Sequence, residues 1–111
     1  MKRGVKKVFC EDCLVNVIIP KLKDNDLLIM EYLYNHGITL PQTSKMQDEI
    51  IEETGLSNFK GWKAVYSLRC YNLVKKIQKG RANYYYLTKD GKRALSIFSE
   101  QIANEHAEQE V

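Results

Sequence analysis

Between Ser57 and Arg93 the chain places ten lysines or arginines, at positions 60, 63, 69, 75, 76, 79, 81, 89, 92 and 93, against a single acid, Asp90. That segment nets +9 in a chain whose total is only +3. The chemistry such residues can do is recognition of a polyanion. Ammonium and guanidinium groups neutralise phosphates, while interspersed Asn and Ser side chains hydrogen-bond phosphate oxygens or base edges. A charge run by itself usually marks a solvated face, but cations spread over consecutive elements of one motif point to nucleic acid. The remaining charge is also divided. Met1 to Lys23 carries +4, Asp24 to Leu56 carries −6, and Ala94 to Val111 carries −4. A field this one-sided steers association with a phosphate backbone.

Other chemistries lack their residues. Cys10 and Cys13 form a CxxC, half of a zinc site, but the further ligands on offer are only Cys70, His36 and His106, scattered along the chain. The same pair could close a disulfide under oxidation, or simply fill space as small apolar groups. Cys70 is expected to be buried packing. Neither His36 nor His106 stands near a nucleophile or acid at a catalytic spacing, and no Gly-rich phosphate loop occurs. Glu49, Glu52 and Glu53 read as the exposed face of a helix. Neither an enzyme nor a cofactor is expected. Three Cys, no apolar signal-peptide core after the basic start, and no apolar run of membrane-spanning length point to a cytoplasmic chain without a disulfide framework.

At 111 residues the chain reads as a single domain with a modest core that dimerisation would help to complete. Its expected parts are a basic segment over 1–23, a core over 24–88 and a terminal helix over 89–108. Phe9 to Ile19 is ambiguous in period and is read as a short helix ended near Pro20. Asp24 or Asn25 caps a helix that Gly37 closes at about residue 36. Ser44 and Gln47 have the spacing of a capping box for a helix to about Thr54. Thr54-Gly55-Leu56-Ser57 supplies a sharp turn, with Gly55 left-handed, Leu56 plugging the gap between helices and Ser57 capping the next helix, from Asn58 to about Tyr71. If Gly61, Val65 and Leu68 face the core, Asn58, Lys60, Lys63 and Ser67 project outward, with Trp62 and Tyr66 flanking; aromatics at this spacing usually serve core or interface. Leu73 to Gln78 and Asn83 to Leu87 read as strands joined by Lys79-Gly80-Arg81-Ala82. Thr88 caps the last helix, on which Leu95, Phe98 and Ile102 form an apolar stripe suited to pairing with a second copy.

The run from Thr54-Gly55-Leu56-Ser57 through Asn72-Leu73-Val74, then Lys79-Gly80-Arg81 and Tyr86-Leu87-Thr88-Lys89-Asp90-Gly91, resembles the winged helix-turn-helix superfamily of prokaryotic regulators. The likeness covers about Asp24 to Ile102, and its most specific part is the Tyr-x-Leu-Thr-x-x-Gly junction. Ser67-Leu68-Arg69-Cys70-Tyr71-Asn72-Leu73-Val74, the short wing and the size are similar to TubR, the centromere-binding adaptor family of tubulin-like plasmid and phage partition systems. That resemblance implies a small dimer which binds repeated DNA sites, engages a tubulin-like GTPase and can repress its own operon. The basic first twenty residues have no counterpart in the family pattern.

The expected fold is therefore mainly α with a small β-hairpin wing, a winged helix-turn-helix acting as a homodimer. Duplex DNA is the expected partner, with paired recognition helices in successive major grooves and wings against flanking minor grooves. Ser57, Asn58, Lys60, Lys63 and Ser67 are the expected recognition-helix contacts. Lys79 and Arg81 are the wing contacts, and Lys75, Lys76 and Lys89 the supporting phosphate contacts. Leu95, Phe98 and Ile102 are the dimer contacts. Three roles fit this chain: a partition adaptor, a ligand- or redox-responsive repressor, and a winged helix used only to bind proteins.

Overall fold

Backbone caps set where the helices begin and end, and the computed structural model describes them over residues 14–109. A π-helical turn at Leu14–Ile18 runs into a 3₁₀ turn at Ile19–Lys21, both ahead of helix α1, Asp24–Asn35. Strand β1 is Lys45–Met46, helix α2 is Gln47–Thr54, and helix α3 is Asn58–Cys70. Strands β2, Val74–Lys79, and β3, Ala82–Leu87, form a hairpin, and helix α4 spans Lys89–Gln109. Cys10, Cys13 and the basic start fall outside the described residues, as does the side chain of His106.

Two helices end in the same hydrogen-bonded motif. After α1, Gly37 at φ 69 donates to Tyr34 O at 3.2 Å and Ile38 donates to Leu33 O at 2.9 Å. After α3, Asn72 at φ 64 donates to Arg69 O and Leu73 to Leu68 O, each at 2.9 Å. A left-handed residue is required in both, and Asn is the side chain that tolerates this best after Gly. Each motif drops its following residue, Ile38 or Leu73, into the core.

The end of α3, the base of the wing and the start of α4 meet at one carbonyl. Leu73 O accepts the Thr88 N–H at 2.9 Å and lies 3.0 Å from the Thr88 hydroxyl. Thr88 Oγ1 in turn accepts the Gly91 N–H at 3.0 Å, capping α4. Gly91 presses so closely that a Cβ there would collide with Leu73 O and stand 2.5 Å from Leu87 Cδ1.

The sheet has the order β1-β3-β2, antiparallel throughout, with Val74 opposite Leu87 and Lys79 opposite Ala82. Since successive strand residues face opposite ways, Val74, Tyr85 and Leu87 enter the core while Lys75, Lys79, Tyr84 and Tyr86 occupy the outer face. Ile29, Met30 and Leu33 of α1, Ile50 of α2, and Val65 and Leu68 of α3 complete the core with Ala94 and Leu95 of α4. This is a winged helix-turn-helix, mainly helical with a small sheet.

Several local expectations are corrected. The N-cap of α1 is Lys23, whose N–H donates to Asp26 Oδ2 at 3.0 Å, so Asp24 lies inside the helix. The Ser44–Gln47 capping box does not form: Ser44 donates to Pro41 O at 2.8 Å, Met46 occupies the cap position, and Lys45–Met46 pair with Tyr85 and Tyr84 as a third strand. The hairpin strands start at Val74 and Ala82 and leave Gly80 and Arg81 as a two-residue turn, with Gly80 at φ 63. Cys70 is exposed rather than packed.

Lys45 points back from β1 into a polar clasp. Its Nζ donates to Tyr32 Oη at 3.0 Å and lies 3.4 Å from the Glu53 carboxylate, which accepts the Tyr32 hydroxyl proton. The clasp ties α1, β1 and the end of α2 together. The hydrogen bond from Tyr32, assisted by Lys45, holds the Glu53 carboxyl below its ordinary range. Burial raises Asp26 against the opposing hydrogen bond from Lys23.

These contacts set expectations for urea denaturation. Gly91→Ala costs about 1–3 kcal/mol through the forced collision, and Thr88→Ala about 1 kcal/mol, largely recovered by Thr88→Ser. An unshifted midpoint for Gly91→Ala would mean the junction can yield. On acidification, a carboxyl with a lowered folded pKa loses its contribution as pH falls through that pKa, whereas a raised one destabilises less once protonated. Glu53→Gln therefore flattens the decline in stability as pH falls below the ordinary carboxylate range, and leaves the slope above it unchanged. Asp26→Asn keeps an acceptor for Lys23 and leaves neutral-pH stability equal or higher; a fall of about 1 kcal/mol or more would show that the charge itself sustains the cap.

Candidate nucleic-acid interface

Helix α3 has two apolar faces, and the core accommodates only one. Gly61, Ala64, Val65 and Leu68 are buried, and at about 100° per residue the line opposite them is Phe59, Lys63, Tyr66 and Cys70. The inward choice is fixed by Gly61, where an added Cβ would stand 2.6 Å from Ile51 Cγ1 of α2. Only a glycine lets the two helices cross this closely. On the outside, Phe59, Trp62 and Tyr66 remain 69%, 53% and 54% exposed. The Trp62 and Tyr66 rings stack at 5.7 Å and 16°, and Lys63 Nζ sits 5.7 Å from the Phe59 centroid. No acid occurs in α3. Ser57 Oγ accepts the Lys60 N–H at 3.2 Å and so caps the helix as expected.

Apart from Lys63, which shares this line, the polar residues lie on its flanks. Lys60, Lys63 and half-buried Ser67 share a hollow with Lys23, Asn25 and Asp26 at the start of α1. Asn58 lies on the opposite flank, where it shares a hollow with Trp62, Gln47, Asp48 and Ile51. Gln47 and Asp48 also border the wing tip, beside Lys79 and Arg81. The start of α2 thus joins the recognition helix to the wing in one continuous surface. Lys79 and Arg81 are exposed on either side of Gly80, and Lys79 Nζ lies 4.7 Å from the Tyr84 ring centroid.

The supporting residues are not all together. Lys75 and Lys89 border one hollow at the wing base with Leu40, Asn72 and Tyr86. Lys76 is exposed on the sheet face that also carries Val74 and Tyr85. Of the stripe expected for pairing, Leu95 is buried in the chain's own core at 8% exposure, Phe98 packs partly against that core, and Ile102 is 39% exposed. Beside it, Glu31 and Tyr34 of α1 and Lys92, Arg93 and Ser99 of α4 line a cleft of about 560 Å³. Among the described residues no group of His, Cys, Asp or Glu is arranged to hold a metal, and no helix is long and apolar enough to cross a membrane.

Phe59 is the exposed aromatic that reading the chain missed. The signal is present: Phe59, Trp62 and Tyr66 recur at spacings of three and four, as do Gly61, Val65 and Leu68. Two apolar stripes on one 13-residue helix mean that one must face outward.

Comparison with known proteins places this geometry in context. The Plectin/S10 domain family matches residues 19–106. No curated protein matches the chain. Among solved structures it is similar to TubR from Bacillus megaterium pBM400, with 21% identity and a TM-score of 0.70 over 77% of this chain and 93% of that one. It is also similar to the S. aureus MepR–DNA complex, at 17% identity and TM-score 0.62 over 79% and 71% of the two chains. The homodimeric winged helix-turn-helix DNA-binding domain Mb0332 from Mycobacterium bovis aligns at 21% identity and TM-score 0.56 over 82% and 80%.

Trp62 is the chain's single tryptophan, so its fluorescence reports directly on the outer face of α3. The free protein should emit at the wavelength of solvated indole and be quenched readily by acrylamide. A blue-shifted, protected emission would mean that this face is covered in solution.

Proposed function

The chain belongs to the Plectin/S10 domain family, and from the surface built on its winged-helix fold we propose that it binds duplex DNA. The observation that carries this reading is the continuous surface in which acid-free α3, with Asn58, Lys60 and Lys63, adjoins the cationic wing tip of Lys79 and Arg81 across the start of α2. Ser57, Asn58, Lys60, Lys63 and Ser67 serve as helix contacts, Lys79 and Arg81 as wing contacts, and Lys75 and Lys89 as supporting phosphate contacts. Lys76 contributes only through long-range charge. The working unit is a homodimer, to which exposed Ile102 and half-buried Phe98 of α4 contribute.

The finer role we infer is that of a partition adaptor, which binds arrays of repeats, represses its own operon and engages a filament-forming, tubulin-like GTPase. The support is correspondence in extent: the likeness takes in 93% of TubR and 77% of this chain. A ligand-responsive repressor is the second reading, favoured by the cleft between α1 and α4.

Binding to the DNA upstream of its own gene, titrated with salt against a scrambled duplex, tests these assignments. Each lost phosphate contact lowers the slope of log affinity against log salt by about 0.9, so Arg81→Ala should reduce the slope by about one. An unchanged slope removes the wing from the interface. Several cooperative shifts favour the adaptor and one discrete shift the repressor. No binding at low salt overturns the DNA reading.

A further inference from the structure

The outermost line of the proposed recognition helix carries Phe59 and Tyr66 together with Lys63 and Cys70, with Trp62 to one side, whereas Asn58, Lys60 and Ser67 stand on the flanks. Phe59, at 69% exposure, projects furthest from the core, with Trp62 and Tyr66 beside it. An apolar apex needs an apolar partner, and its surroundings select what kind. Lys63 stands among the rings and Lys60 beside them, α3 contains no acid, and one acid each, Asp26 and Asp48, lines the hollows to either side, so the face suits a polyanion that presents an apolar group.

Unpaired bases would offer flat faces, but the ring faces here are partly engaged. Trp62 and Tyr66 lie against one another at 16° and Lys63 covers Phe59. Paired bases present edges instead, and the apolar group on a base edge in the major groove is the C5-methyl of thymine. We propose that the Phe59–Trp62–Tyr66 face reads thymine methyl groups, so that α3 selects T-rich duplex DNA by apolar contact while Lys60 and Lys63 hold the phosphates. This rests on the duplex-DNA reading above and names what that site recognises.

The test uses the full chain and four duplexes of equal length: one T-rich, the same with deoxyuridine for thymidine, one G·C-rich, and the same with 5-methylcytosine for cytosine. Burying one methyl corresponds to about a fourfold gain in affinity. The thymine duplex should therefore bind at least about fourfold more tightly than its uracil counterpart, and 5-methylcytosine should raise G·C binding similarly. Phe59→Ser and Tyr66→Ser, both at exposed positions, should retain salt-dependent binding but lose the methyl dependence. Equal affinity for the thymine and uracil duplexes overturns the proposal, as does an A·T preference that persists without methyls, which would assign selectivity to groove shape. If Phe59→Ser instead breaks a dimer in sedimentation, the face belongs to a second copy and the proposal falls. Failure of all four duplexes to bind removes the underlying DNA reading, a result distinct from equal binding.

Discussion

The carbonyl of Leu73 is the point on which the arrangement of the reading surface depends. It receives the Thr88 amide, lies against the Thr88 hydroxyl, and has the Gly91 backbone pressed upon it. Three directions are set at once: how α3 leaves the core, where the hairpin closes, and at what angle α4 departs. A buried carbonyl left without a partner would cost about 1–3 kcal/mol. The local hydrogen bonds therefore make this geometry specific as well as stable. Since the wing and the recognition helix both originate here, their relative orientation is inherited from this junction.

A second close approach positions the other side of the surface. Gly61 lets α3 lie directly on Ile51, bringing Asn58 and Trp62 beside the start of α2, and β1 then ties that start to the wing through Lys45 and Met46. The Tyr32–Lys45–Glu53 clasp locks the same strand to α1. A short strand of two residues has little stability alone; here it is held by a polar contact on one face and pairing along its edge. The cations at the wing tip therefore stand on a braced platform.

Charge and apolar surface have separate tasks on this platform. In the proposed complex the cations of the wing and of α3 supply long-range attraction that is independent of sequence and weakened by salt. The exposed rings of α3 act in that complex only at contact. Acids concentrate instead in α1, α2 and the end of the chain, a division of charge that orients a molecule before it meets a polyanion.

Much of this was legible in the chain. The turn at Gly55, the Ser57 cap, the hairpin about Gly80 and the Thr88 cap are each local: a few neighbouring residues satisfy their own hydrogen bonds, so type and spacing suffice. The Lys23 cap and strand β1 were not, because each depends on a competition between local partners or on a strand about 40 residues away. Nor was the exposure of Phe59 and Cys70, or the separation of Lys75 from Lys76. The sequence by itself determined the order of the helices and the hairpin, the Ser57 and Thr88 caps and the placement of charge, since these follow from nearest-neighbour chemistry. Only the tertiary structure decided which of the two apolar faces of α3 was buried, because that depends on Gly61 meeting Ile51 on a different helix, a contact no single helix encodes.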